Sequence, residues 1–152
     1  MKLLISACLL GDPVRYDGKG QFIQGIEALK NSHEVFKFCP EMAGGLPVPR
    51  DPAEIRGSSI AILKKGLGGV FTKNGEDLTE SFINGAQATL KFCLDNGIEA
   101  AVLKERSPSC GLTQIYDGNH QGVVITGTGL TAALLLENGI RIFTEDNFKD
   151  LI

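Results

Sequence analysis

The chain has 152 residues, a formal net charge of -3 at pH 7, 43% hydrophobic residues and no Trp. That length suits one domain of about 100–200 residues, large enough to bury a core without disulfide staples. The slight acidity excludes a basic nucleic-acid footprint, the scarcity of aromatics excludes a platform for stacking nucleic-acid strands, and no apolar run approaches the ~20 residues that span a bilayer.

Residues 2–7 are apolar with no turn former and read as a buried first strand. Ile5-Ser6-Ala7-Cys8 has the look of a lipoprotein cleavage site, but the seven residues before the cysteine are too few for a signal peptide of about 15–30. A cytoplasmic protein is therefore expected. A glycine-rich loop follows, and residues 21–31 are expected to form a helix with Phe22, Ile26 and Leu29 on one face. Residues 34–38 read as a second strand. Residues 39–52 carry Pro40, Pro47, Pro49 and Pro52 with Gly44 and Gly45. Such a stretch is expected to be a long functional loop, neither helix nor central strand. Residues 59–63 fit a strand or a short helix, and 70–72 a short strand.

Residues 77–96 give the clearest helix. Asp77 and Glu80 suggest a capping box, Leu78, Phe82, Ala86, Leu90 and Cys93 recur at helical spacing, and Gly97 ends it. Residues 98–103 form a third strand that runs into the loop 104–111. A short strand at 123–125, a helix at 128–138 ended by Gly139, a last strand at 140–143 and a final helical turn complete the chain. Strands alternate with helices throughout. The expectation is an α/β fold: residues 1–152 as a single three-layer, Rossmann-like domain, its sheet mainly parallel with helices on both faces. The tripeptide Tyr-Asp-Gly occurs at 16–18 and again at 116–118, and reads as two turns with glycine at positive φ.

Three of the four cysteines share a context. Cys8 follows the first strand, Cys39 the second, and Cys110 lies in the loop after the third. If those strands are parallel neighbours, their loops deliver three thiols to the carboxyl edge of the sheet, where open α/β sheets bind ligands. In a reducing compartment such cysteines are metal-binding, catalytic or core residues rather than disulfides. Three thiolates together repel unless a cation holds them, and Arg15, Lys104 and Arg106 would favour the thiolate form. Three protein ligands leave a coordination position open, as catalytic sites do. The spacing has no CxxC pattern and leaves zinc and iron–sulfur equally open. Cys93 occupies an apolar helix position and is expected in the core.

Longer blocks carry a resemblance. They are Ser6-Ala7-Cys8-Leu9-Leu10-Gly11, Val14-Arg15-Tyr16-Asp17-Gly18, Cys39-Pro40-Glu41, Gly44-Gly45-Leu46-Pro47 with Pro49-Arg50, and Lys104 through Gly111 followed by Ile115-Tyr116-Asp117-Gly118. Over nearly its whole length the chain resembles the family catalogued as domain of unknown function 523, which includes the 2-thiouracil desulfidases. The resemblance implies a 4Fe-4S cluster held by Cys8, Cys39 and Cys110, with Cys93 outside every shared motif. It implies an enzyme that replaces the sulfur of a thiolated pyrimidine base with oxygen from water, and it implicates Glu41 and Ser107 in catalysis.

That chemistry is coherent. A cubane normally takes four cysteines, so three leave one iron open to a thiocarbonyl sulfur as a Lewis acid. Glu41 would take a proton from the attacking water, Ser107 would hydrogen-bond the base or the developing tetrahedral centre, and sulfur would leave as hydrosulfide. A small thiolated nucleobase, with no nucleic acid and no membrane, is the expected partner. A three-cysteine zinc hydrolase and a non-catalytic iron–sulfur or thiol redox sensor are the competing readings. Arg15, Arg50 and Arg106 stand open between site and solvated surface, and His33 and His120 are expected to be exposed.

Overall fold

The computed structural model describes residues 1–152. Its centre is a parallel sheet of β1 (Lys2–Ser6), β2 (Glu34–Phe38), β5 (Ala100–Leu103) and β8 (Arg141–Thr144), in the order β2-β1-β5-β8. The alternation of side chains along a strand divides β1 cleanly. Leu3 and Ile5 join Ala100 and Val102 on one face, packed against two 3₁₀ segments, Ile26–Asn31 and Phe148–Leu151. Leu4, Ala101 and Leu103 face the other way, towards α3 (Thr79–Asn96) and α4 (Leu130–Glu137). Both faces are covered, as parallel strands require, and the fold is the expected α/β arrangement of sheet and flanking helices.

A third apolar cluster, containing Ile55, Val70, Phe82, Ile115 and Leu130, lies beneath two small antiparallel ribbons. These are β3 (Ala53–Arg56) with β4 (Gly69–Thr72), and β6 (Gln114–Tyr116) with β7 (Val124–Thr126). Two further helices are short: α1 (Pro40–Ala43) and α2 (Ser59–Lys65). The oxygen of Ser58 accepts the Ala61 N–H at 3.2 Å, which settles residues 59–65 as a helix.

Three expectations are corrected. The helix at 21–31 shrinks to the 3₁₀ segment, because Gly25 sits in the left-handed region at φ 89° and interrupts the chain; Ile26 and Leu29 are buried, but Phe22 stays exposed. The segment 39–52 contains a helical turn after all. Pro40 stands at its first position, where a missing N–H costs nothing. The long helix begins at Thr79 rather than Asp77: Asp77 Oδ1 accepts the Thr79 N–H at 2.9 Å, and no bond from Glu80 closes a box. Its buried face (Phe82, Ala86, Cys93) and its glycine stop agree with the sequence.

The turn α1 is seated by two glycines. A Cβ at Gly44 would meet the Ser81 carbonyl oxygen at 2.1 Å, and one at Gly85 the Pro40 oxygen at 2.2 Å. Gly85→Ala should therefore drive α1 away from α3. Despite alanine's better helix propensity, the expected result is a loss of roughly 1–3 kcal/mol, read from a denaturant midpoint. A midpoint at or above wild type would show that α1 yields freely.

Candidate active site

The parallel register sets Ser6 opposite Phe38 and Ile5 opposite Val102, so β1, β2 and β5 end level with one another. Their loops then open onto one cleft of about 530 Å³, within the usual range of small-molecule sites. Cys8 arrives on a 3₁₀ turn, Ala7–Leu10, directly after β1. Cys39 caps α1 after β2. Cys110 arrives on the loop after β5, and all three line the cleft with Glu41 and Ser107. The sheet thus gathers every site residue read from the sequence. No three His, Cys, Asp or Glu side chains close round a single metal ion.

Cys93 is fully buried, between β1 and α4, and plays no part in the cleft. All four cysteines are free thiols. Burial pushes Cys8 up to about 11, with a further rise from Cys39 and opposition from Lys104 and Arg15. Cys39 is raised by burial and by Glu41, against the backbone N–H of Met42 and the Arg50 charge. Cys110, 4% exposed, is raised by burial first and then by Glu41, Cys39 and Cys8, while a hydrogen bond from Ser109 lowers it. The folded chain thus keeps these thiols protonated to higher pH than the unfolded chain does. The cluster-free protein should hold its stability below the ordinary thiol value of 9.0 and lose it as pH rises from there through about 11. Denaturant titrations at about pH 8 and about pH 10.5 would show this; equal midpoints would contradict it.

Glu41 is the hub. Its Oε1 accepts from Arg50 Nε at 3.1 Å, and its Oε2 from Ser109 Oγ at 2.9 Å and Ser107 Oγ at 3.3 Å. Arg50 is no surface charge: its side chain is 6% exposed, and it also donates to the carbonyls of Pro47 and Val14, each at 3.0 Å. One guanidinium therefore ties the loop before β2, the proline segment and the carboxylate together. Ser107 has its own constraint. Its oxygen accepts the N–H groups of Ser109 and Cys110, both at 3.1 Å. A hydroxyl has two lone pairs and one proton, so Ser107 must act as a donor to Ser109 Oγ at 2.9 Å or to Glu41. Along the shorter contacts the protons run from Ser107 to Ser109 and from Ser109 to Glu41. Ser107 thus closes the turn that carries Cys110 and also sits beside Glu41.

Several residues escaped the sequence reading. Ser109, 1% exposed, reaches Glu41 and lies 3.6 Å from Cys110 Sγ. Ser6 accepts the Lys104 N–H and donates towards Cys110 Sγ at 3.8 Å. Glu105 is buried and ties its loop shut, with Oε1 accepting the N–H groups of Leu112, Thr113 and Gln114. A carboxylate two positions past an all-apolar strand was the available signal for it. The loop also packs tightly on the start of α4, where a Cβ at Gly129 would meet Ser109 backbone at 2.5 Å. Lys104 bonds Glu145 at 2.9 Å. Arg15 and Arg106 stay at the rim of the cleft, with Arg106 Nε on Gln114 Oε1 at 3.1 Å.

The histidines are not exposed as expected. His120 has an 8% exposed side chain, with Nε2 donating to the Phe71 carbonyl at 3.1 Å and Nδ1 3.4 Å from Glu54. His33 is half-buried and donates from Nε2 to the Leu151 carbonyl at 2.7 Å.

Fold and site together define an α/β protein with a thiol- and carboxylate-lined reaction cleft at the carboxyl edge of a parallel sheet. The chain belongs to the 2-thiouracil desulfurase family, whose profile it matches over residues 3–147. A Bacillus subtilis (strain 168) relative, the uncharacterised protein YbbK, is 39% identical over 150 residues, 99% of each chain. Among solved structures, the [4Fe-4S]-dependent thiouracil desulfidase TudS superposes with a TM-score of 0.88 at 46% identity, covering 99% of this chain and 94% of that one.

Proposed function

We propose that this chain is a single-domain desulfidase that holds a 4Fe-4S cluster through Cys8, Cys39 and Cys110. Its reaction replaces the sulfur of a thiolated pyrimidine base, 2-thiouracil or a close analogue, with oxygen from water and releases hydrosulfide. The observation that carries the reading is the delivery of three thiols and one pinned carboxylate to a single cleft. The family, and the solved relative named for its cluster, support it.

The donor set fits the group. Three buried thiols, each raised by burial and two of them by a neighbouring thiol, are ligands that a cationic thiophilic centre deprotonates and discharges. Ligands of one tetrahedral zinc would have sulfurs about 3.8 Å apart, and these thiols make no such group. When bound, a cluster with three protein ligands supplies one open iron, a Lewis acid for sulfur.

The protein's own part is acid–base and positional. A carboxylate offers about four acceptor positions, of which Arg50 takes one and Ser109 another. A free position of Glu41 accepts the proton of the attacking water. Arg50 and Ser109 fix the orientation of that carboxylate, and Ser107 steadies Ser109 by donating to its oxygen. Glu105 holds the loop that carries Cys110. No helix is long and apolar enough to cross a membrane, and the free thiols suit the cytoplasm. A free base rather than a nucleic acid is the substrate.

Anaerobic purification followed by iron and inorganic sulfide counts, with turnover of 2-thiouracil, tests this reading. The expected result is cubane stoichiometry, with uracil and sulfide formed in equal amounts. Stoichiometric zinc without iron, or a full cluster that leaves every thiolated pyrimidine untouched, would overturn it.

A further inference from the structure

The repeated Tyr-Asp-Gly tripeptide is more than a pair of turns. Asp17 Oδ1 accepts the Lys19 N–H at 3.0 Å, and Asp117 Oδ1 the Asn119 N–H at 2.9 Å, so both copies build the same side-chain-closed turn. Gly18 and Gly118 both take positive φ, at 76° and 93°. Each turn thereby sets the tyrosine before it, and both tyrosines line the one cleft. They are the only two in the chain, which has no Trp. Neither hydroxyl bonds to another protein group. The third aromatic residue of the cleft, Phe38, is committed to the core by its packing on Phe92 at 4.7 Å.

Both turns are braced. The Tyr16 carbonyl accepts the Arg50 N–H at 2.8 Å, which links it to the residue that holds Glu41. The second turn is held by Glu54 Oε1, which accepts the N–H groups of Gly118 and His120. A Cβ at Gly118 would meet the Ile55 carbonyl oxygen at 2.6 Å, so the turn sits hard against β3. The Arg15 guanidinium lies over the Tyr16 ring, 5.8 Å from its centre, and Tyr16 is 41% exposed.

We propose that Tyr16 and Tyr116 are the aromatic walls that grip the substrate ring and select a planar, unsaturated pyrimidine over a puckered one. The assignment rests on the desulfidase reading above and identifies its specificity residues. Stacking on an aromatic side chain is sensitive to ring planarity and indifferent to ring substituents. The two walls would therefore accept several thiolated pyrimidines and reject saturated thiocarbonyl compounds of the same size.

The test uses the cluster-loaded protein and two readouts: calorimetric binding of uracil and 5,6-dihydrouracil, and the kinetics of 2-thiouracil. Wild type should bind uracil at least about tenfold more tightly than the saturated ring. Tyr16→Leu and Tyr116→Leu should each weaken uracil binding about tenfold to a hundredfold, bring the ratio of the two ligands towards one, and raise KM more than they lower kcat. Tyr→Phe at either position should restore the ratio, and the iron spectrum should not move. Leucine variants that keep the wild-type ratio would overturn the proposal even if binding weakens, because a structural role lowers both affinities alike. A wild type that converts 2-thiouracil but does not distinguish the rings sinks the stacking alone. A wild type that neither binds nor converts any pyrimidine sinks the desulfidase reading with it.

Discussion

Glu41→Gln, measured in protein with its full complement of iron and sulfide, is expected to lower turnover of 2-thiouracil by at least about two orders of magnitude. A positioned acid–base group contributes typically 10²–10⁴-fold, and the amide is close to isosteric while unable to take a proton. Its carbonyl can still accept from Arg50, so the clamp at 3.1 Å has a partner of the same shape. The amide N–H₂, however, would face Ser107, whose oxygen already accepts two backbone N–H groups. The serine pair must then turn, and the 6% exposed Arg50 side chain loses its counter-charge. Leaving a buried charge unpaired is costly, several kcal/mol in the interior, so the variant should also melt earlier than wild type. Activity, spectrum and melting must come from one preparation, well below the transition. Wild-type turnover with an intact cluster would refute the general-base role and return Glu41 to a purely architectural one. Ser107→Ala should lose less rate, since a single neutral hydrogen bond is the smaller effect.

The second large effect concerns the thiols. Replacing Cys8, Cys39 or Cys110 with Ala should each lower iron retention by at least about tenfold to a hundredfold, since even outer partners of a metal ligand are worth that much. Cys93→Ala should keep its iron. Cys93 lies fully buried in one core cluster with Leu4, Ala101 and Leu135, so its loss should appear as a small cavity costing about 1 kcal/mol. Cys110 is also well buried, and for that position Cys110→Ser separates a lost ligand from a lost volume. Iron counts alongside far-ultraviolet circular dichroism make the distinction. Full iron in any of the first three variants would remove that residue from the ligand set, and iron loss in Cys93→Ala would mean that core packing, not ligation, controls the site.

The three site-bearing strands were legible because they are short and carry no Gly or Pro, and because a cysteine stands in the loop after each. Parallel pairing of β1 with both β2 and β5 then does the rest. What the sequence hid is mostly long-range. Ala53–Arg56 starts one residue after Pro52 with a charged residue second, and becomes a strand only through its register with Gly69–Thr72. Gln114–Tyr116 depends in the same way on β7. The arginines looked alike until Arg50 found three acceptors from three segments. Ser109 gave no signal of its own, because its meaning lies in Glu41, 68 positions away. His120 looked solvated among polar neighbours, yet Phe71 and Glu54 claim both ring nitrogens.

The strand order also dictates when the site can exist during synthesis. β1 is made first but finishes in the middle of the sheet, between β2 and β5. The first thiol therefore waits on the growing chain until β5 and the loop bearing Cys110 have left the ribosome, and until α4, which seats that loop through Leu130 N–H on the Pro108 carbonyl, has followed. A chain that has not reached Cys110 cannot bring the three thiols together. A three-thiol edge of this kind is assembled late, once β5, its loop and α4 are all in place.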